Sequence, residues 1–428
     1  MGAGVLCTHL ARQCGRLAAA WLLLFARNTL VQAGKRRSCA VPSRPAPRSG
    51  SHLREDDRVT TPASTVERGL AARARACDAA SDEGLLDHPY PLDATAAEEV
   101  NPPRFIREAA KAALDRGETH YTARHGIAPL RTKLAERATR DGFPVGPEET
   151  IVTNGAAEAL YVVLQTALRP GDTVFLVGPV SPQVVALATF LQLRVERLRL
   201  DQAERFPTGW DSSAGLLLVA APSAVTGQMP AAPQLRALID RALDAGATVV
   251  VDRSRAWCLY RDAGYGFDPS LGGRCITIGS FSTAFSMPGW RVGYVTAPGH
   301  QVSAPLELKQ AMSICTSPIA QFAALAALEG ADVWLAERRS FFAARRDALL
   351  RAGVPLAPAD AWPAQLIDAR PFGDDDIALA AQAAEARNVR VEPATRYGAE
   401  LRGYLRIDLR APRQALDAVA EFFGALAT

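Results

Sequence analysis

Residues 215–221, Gly-Leu-Leu-Leu-Val-Ala-Ala, form an unbroken apolar run that ends at Pro222. A strand so uniformly apolar belongs in a sheet covered on both faces, which is how parallel strands are buried. Similar short runs occur at 151–153, 173–177, 247–251, 275–278 and 292–296, and a helical pattern over 232–245 separates two of them. A further helix is expected over 102–116, with Ile106, Ala109, Ala110 and Ala113 on one face. After about residue 333 the pattern changes to a helix, a strand at 365–369, a helix at 376–387, a strand at 404–408 and a final helix. The chain is therefore expected to be α/β, with a mostly parallel central sheet between helices and a smaller α+β part.

The chain has 428 residues, 48% of them hydrophobic, with a net charge of +3. So small a charge, with no basic stripe, argues against nucleic acid as a partner. Seven cysteines at unpaired spacings give neither a zinc site nor a disulfide framework, which points to a reduced, cytoplasmic setting. Residues 1–84 read as a disordered or targeting-like extension. No acid precedes Glu55, and an apolar core at 17–26 follows Arg12 and Arg16 in the shape of a signal peptide. That core falls short of the roughly 20 residues a spanning helix needs, so no membrane partner is expected. The alternative is an unfolded stretch encoded upstream of the functional start. Only four lysines are present, at 35, 111, 133 and 309, so 44 of the 48 basic residues are arginine.

The most informative stretch is 279–294, Gly-Ser-Phe-Ser-Thr-Ala-Phe-Ser-Met-Pro-Gly-Trp-Arg-Val-Gly-Tyr, which lies between two strand-type runs. Upstream, Thr119 to Gly126 and Leu130-Arg131 form a second motif, and Thr153-Asn154-Gly155-Ala156-Ala157 is a turn opening a helix. Small residues at such a helix start let backbone N–H groups approach a phosphate. In this order and spacing, the motifs over residues 85–428 resemble those of the class I/II aminotransferases, fold-type I enzymes that use pyridoxal phosphate (PLP).

The resemblance implies a phosphate cup from the backbone of Ala156 and Ala157, with Ser280, Ser282, Arg291 and, across a dimer interface, Tyr121. It implies that Asp252 pairs with the pyridine nitrogen, making the ring an electron sink, and that Arg406 grips a substrate α-carboxylate. Other positions depart from the pattern. The Schiff-base lysine is replaced by Thr283, the ring-oxygen asparagine by Ala224, the tyrosine after Asp252 by Arg255 and the stacking aromatic by Ser181. Threonine has no amine and its hydroxyl is a poor base, and loss of a positioned base typically costs about 10²–10⁴-fold. No catalytic residue is fixed; His125 and His88 are candidate bases, while Arg255 and Arg253 could add anion contacts.

Three functional readings follow. The preferred one is a repurposed biosynthetic enzyme acting on an amino acid or related carboxylate. It would bind PLP or pyridoxamine phosphate (PMP) non-covalently, or another phosphorylated or carboxylated ligand with neither cofactor. The second is a non-catalytic partner subunit or sensor on the same homodimeric scaffold. The third is an ordinary PLP-dependent aminotransferase. The expected division is 1–84 as extension, 85–120 as the N-terminal part of a small domain, 121–325 as the large domain and 326–428 as the C-terminal small domain.

Overall fold

The computed structural model describes residues 92–97, 100–199, 215–261 and 265–427, which lie within the compact unit Pro62–Thr428. The proposed extension at 1–84 and His88 lie outside the described residues. In chain order the elements are β1 (Leu92–Asp93), α1 (Arg104–Asp115), α2 (Ala128–Arg140), β2 (Thr150–Thr153), α3 (Ala156–Ala167), β3 (Thr173–Val177), α4 (Pro182–Phe190) and β4 (Arg194–Leu198). There follow β5 (Gly215–Ala220), α5 (Ala232–Asp244), β6 (Thr248–Asp252), α6 (Pro269–Gly272), β7 (Ile276–Ser280), β8 (Gly293–Thr296), α7 (Ser303–Ser313), α8 (Pro318–Glu329) and α9 (Ala331–Arg351). The chain closes with β9 (Ala364–Asp368), α10 (Asp376–Arg387), β10 (Val389–Arg390), β11 (Glu392–Pro393), β12 (Tyr404–Asp408) and α11 (Arg413–Leu426).

The main sheet has seven strands in the order β2-β8-β7-β6-β5-β3-β4. All neighbours are parallel except β8, which runs antiparallel to β2 and β7. Side chains alternate along each strand, so every interior strand feeds two cores. Val174, Leu176, Leu216, Leu218 and Val250 pack with α3 residues such as Ala159 and Val163. Phe175, Val177, Leu217, Val219, Val249 and Val251 pack on the opposite face with Leu235, Leu238 and Ile239 of α5. This double burial explains the unbroken apolar runs and gives an α/β/α sandwich.

A three-stranded antiparallel sheet, β11-β12-β9, forms from the C-terminal segment. The short strand β1 pairs in parallel with β10, so the first described residues join this later part of the chain. No single helix among the described residues is long and apolar enough to cross a membrane.

Candidate functional site

The segment between β7 and β8 is held from below by a ring cluster. Trp257 meets Phe281 and Phe285 edge-on, with centroids 5.1 and 5.4 Å apart, and lies 5.7 Å from Tyr294. Gly279 cannot carry a side chain, because a Cβ there would enter the Tyr294 ring. Because β8 reverses direction, Ser280 at the end of β7 pairs with Gly293 at the start of β8. Both ends of the segment therefore lie at the carboxyl edge of the parallel strands, beside the start of α3.

There the cup assembles. Gly155 caps α3 at φ 84° and packs against the Arg291 guanidinium, where any Cβ would collide. A Cβ on Gly293 would sit 2.7 Å from the Ala156 nitrogen, so only glycine lets β8 approach the helix start. Arg291, itself left-handed at φ 53°, donates to the carbonyls of Pro288 (3.1 Å) and Asn154 (3.3 Å). Its conformation ends the preceding turn, which is why β8 begins at Gly293 rather than at 292. Ser280 Oγ donates to Ser282 Oγ at 3.0 Å and accepts the Ser282 N–H. Two hydroxyls, a guanidinium and the positive end of α3 converge as an anion seat. Tyr121 stands 79% exposed.

The neighbouring surface differs. Thr283 is buried, and its Oγ1 accepts a hydrogen bond from Arg255 Nη1. Burial pushes the pKa of Arg255 down, opposed first by Cys258 and reinforced by Arg410. The Arg255 Nε has no hydrogen-bond partner. Asp252, at the end of β6, accepts the Ser254 N–H at 2.8 Å with Oδ1. Ala224 lies in a turn held by Ser223 Oγ, which accepts the N–H groups of Val225 and Thr226. Ser181 caps α4 by accepting from Gln183 N at 3.3 Å. Arg253 turns away from the site: 2% exposed, it pairs with Asp141 and lies over the rings of Phe143 (4.6 Å) and Tyr265 (4.9 Å). It is thus a core residue, which corrects the expectation of an anion contact there.

Arg406 lies on β12 directly opposite Glu392 on β11. Its Nη1 is 3.0 Å from Glu392 Oε2, its Nε donates to the Val225 carbonyl, and its guanidinium lies 5.3 Å from the Tyr397 ring. Glu392 also receives Arg396 Nη1 (3.2 Å) and the Tyr397 hydroxyl (2.6 Å). An internal carboxylate therefore occupies this arginine.

His125 precedes α2, and its backbone carbonyl accepts from Val152 of the edge strand β2. Burial and then Arg131 lower its pKa, with Glu148 opposing them. Its imidazole is not on the wall of the cavity that Thr283 lines. That cavity encloses about 660 Å³ and includes Ser282, Thr283, Trp290, Arg338, Trp362 and Arg410.

Sequence reading missed a second network. Lys309 on α7 is fully buried. Its Nζ lies 3.5 Å from Ser313 Oγ, which donates to Glu158 at 2.8 Å. Glu158 accepts both the backbone N–H and the side-chain amide of Asn154, whose carbonyl receives Arg291. The spacing of Lys309 and Ser313, one helical turn apart, was the available signal.

A mostly parallel seven-stranded sheet between helices, with an anion seat at its strand ends, is the architecture of the PLP-dependent transferases of fold-type I. The chain belongs to the aminotransferase class I and II family, whose model matches residues 91–423. It is 31% identical to the aspartate/prephenate aminotransferase of Thermus thermophilus over 336 residues, covering 75% of this chain and 86% of that protein. It is 29% identical to an aspartate aminotransferase of Streptomyces avermitilis over 337 residues, covering 71% and 81% of the two chains. The structure of T. thermophilus aspartate aminotransferase with maleate superposes with a TM-score of 0.74 at 27% identity, covering 84% of this chain and all of that one. The anion seat fits the phosphate of such a cofactor; the position after β7 offers a hydroxyl held by a guanidinium, and no amine.

Proposed function

We propose that this protein is a repurposed aminotransferase-family enzyme that holds PLP or PMP without a covalent tether and acts on a small carboxylate as a homodimer. The observation that carries this reading is the Arg255–Thr283 hydrogen bond beside an intact anion seat. When bound, such a cofactor supplies an electron-withdrawing ring. Ser280, Ser282, Arg291 and the start of α3 would hold its phosphate, and Asp252 would face the ring nitrogen. Arg255 puts a permanent cation where the family has a neutral tyrosine, and it holds the Thr283 hydroxyl. In a dimer, Tyr121 would reach the seat of the neighbouring subunit.

The occupied Arg406 favours the second reading, a non-catalytic subunit or sensor, because Glu392 stands where a substrate carboxylate would dock. The test is calorimetric titration with PLP and with PMP, followed by borohydride treatment and intact-mass measurement. The expected result is binding that weakens in Arg291→Gln, with no gain in mass. A phosphopyridoxyl adduct on any lysine would reject the proposal in favour of an ordinary aminotransferase. Failure of both cofactors to bind would leave the sensor reading.

A further inference from the structure

The cavity beside Thr283 has a chemical character of its own. Among the described residues, no aspartate or glutamate lines it, whereas Arg338 and Arg410 both do. Arg338, on α9, makes no ion pair among the described residues. Its guanidinium lies against the rings of Phe341 (4.3 Å), Trp334 and Phe342 (both 5.1 Å). Burial and the nearby Arg345 lower its pKa, so its charge is held at a cost that an anion would offset. Arg410 is clamped by Asp408, with Nε to Oδ1 at 2.9 Å and Nη2 to Oδ2 at 2.6 Å. That clamp leaves Nη1 as the one end of the guanidinium outside the pair.

Three aromatic residues share the wall. Phe342 and Trp362 are stacked, with centroids 4.5 Å apart and planes at 19°, and Trp290 stands on the rim of the same space. Ser282 and Thr283 lie on the same wall, as do the polar residues Asn101, Ser286 and Ser317. A volume of about 660 Å³ falls in the usual range for small-molecule sites, roughly 300–1,000 Å³.

We infer that this cavity binds an aromatic carboxylate, with the carboxylate between Arg338 and Arg410 and the ring against Phe342, Trp362 and Trp290. The ligand's anion is thus read on α9 and just after β12, and not by Arg406. Glu392 explains the division of labour: it already satisfies Arg406 through a direct cross-strand pair that Arg396 and Tyr397 reinforce. An incoming carboxylate at Arg406 would meet that negative charge, whereas the charged side chains among the described residues of the cavity wall, Arg338 and Arg410, are both positive. The inference deepens the proposed function, since Ser282 of the anion seat and Thr283 share this wall; probing without cofactor separates failure of the two.

The experiment is calorimetry on the full chain without cofactor, using 3-phenylpropionate as the probe and its uncharged amide as the control. The amide is expected to bind at least about tenfold more weakly, the range for a lost charge-assisted hydrogen bond. Arg338→Gln should weaken the acid by a similar factor and leave the amide unchanged, while Arg406→Gln should alter neither. Ile319→Trp narrows the cavity from α8 without replacing an arginine and should block both ligands, which keeps the test open if Arg338→Gln does not fold. Absence of binding by the unmodified protein, equal affinity for acid and amide, or loss of the acid in Arg406→Gln with Arg338→Gln unaffected would each overturn the inference.

Discussion

Arg255 and Thr283 act as one unit, and that governs what a single substitution can achieve. Thr283→Lys would place an ammonium beside a buried guanidinium, and like charges in a desolvated site favour the neutral amine. Ala224 and Ser181 would still offer no ring contacts. Thr283→Lys alone is therefore expected to leave amino-acid turnover at background in a coupled assay with aspartate and 2-oxoglutarate. Robust turnover in that variant would show that the ring contacts are dispensable. The site residues differ in how legible they were. Ser280, Ser282 and Arg291 lie within one stretch of sequence, and the resemblance of that stretch to the family is what named them together. Glu392 could not, because its contact with Arg406 depends on the register between β11 and β12. Lys309 reads as an ordinary polar position on a helix, and only the fold reveals that it is buried and linked to Asn154.

Among the elements, the turn into α3 is under the tightest steric control. Gly155 combines a left-handed backbone with contact against Arg291. Gly155→Ala is expected to cost about 1–3 kcal/mol from the backbone alone, and more because Arg291 must move. Chemical denaturation would measure the loss, and a titration with inorganic phosphate should show weaker binding than in the unmodified protein. The apolar interior strands were legible in the sequence because both faces of each are buried. The edge strand β4 was not anticipated. Arg194, Glu196 and Arg197 give it the polarity of a loop, and only its pairing with β3 makes it a strand. The reversal of β8 was also beyond sequence patterning, since an apolar run has no direction.

For the molecule as a whole, the buried Lys309 ties stability to pH. Burial lowers its folded pKa below the ordinary 10.5, against the opposing pull of Glu158. Between those two values the unfolded chain binds more protons than the native one, so this residue makes stability rise with pH through that window. The thiols of Cys258 and Cys275, pushed up to about 12, act in the opposite sense above their ordinary 9.0. The clean readout is the stability difference between the unmodified protein and Lys309→Met, measured by denaturant titration at several alkaline pH values. The unmodified protein should gain on the variant as pH rises; a constant difference would show that Lys309 keeps an unshifted pKa. The reversal of β8 has its own consequence at this scale. The hairpin's frame is set by its two arms and their neighbours, and residue 283 belongs to neither arm. Architecture and reagent are thereby uncoupled: a different side chain at 283 would leave the receptacle its shape.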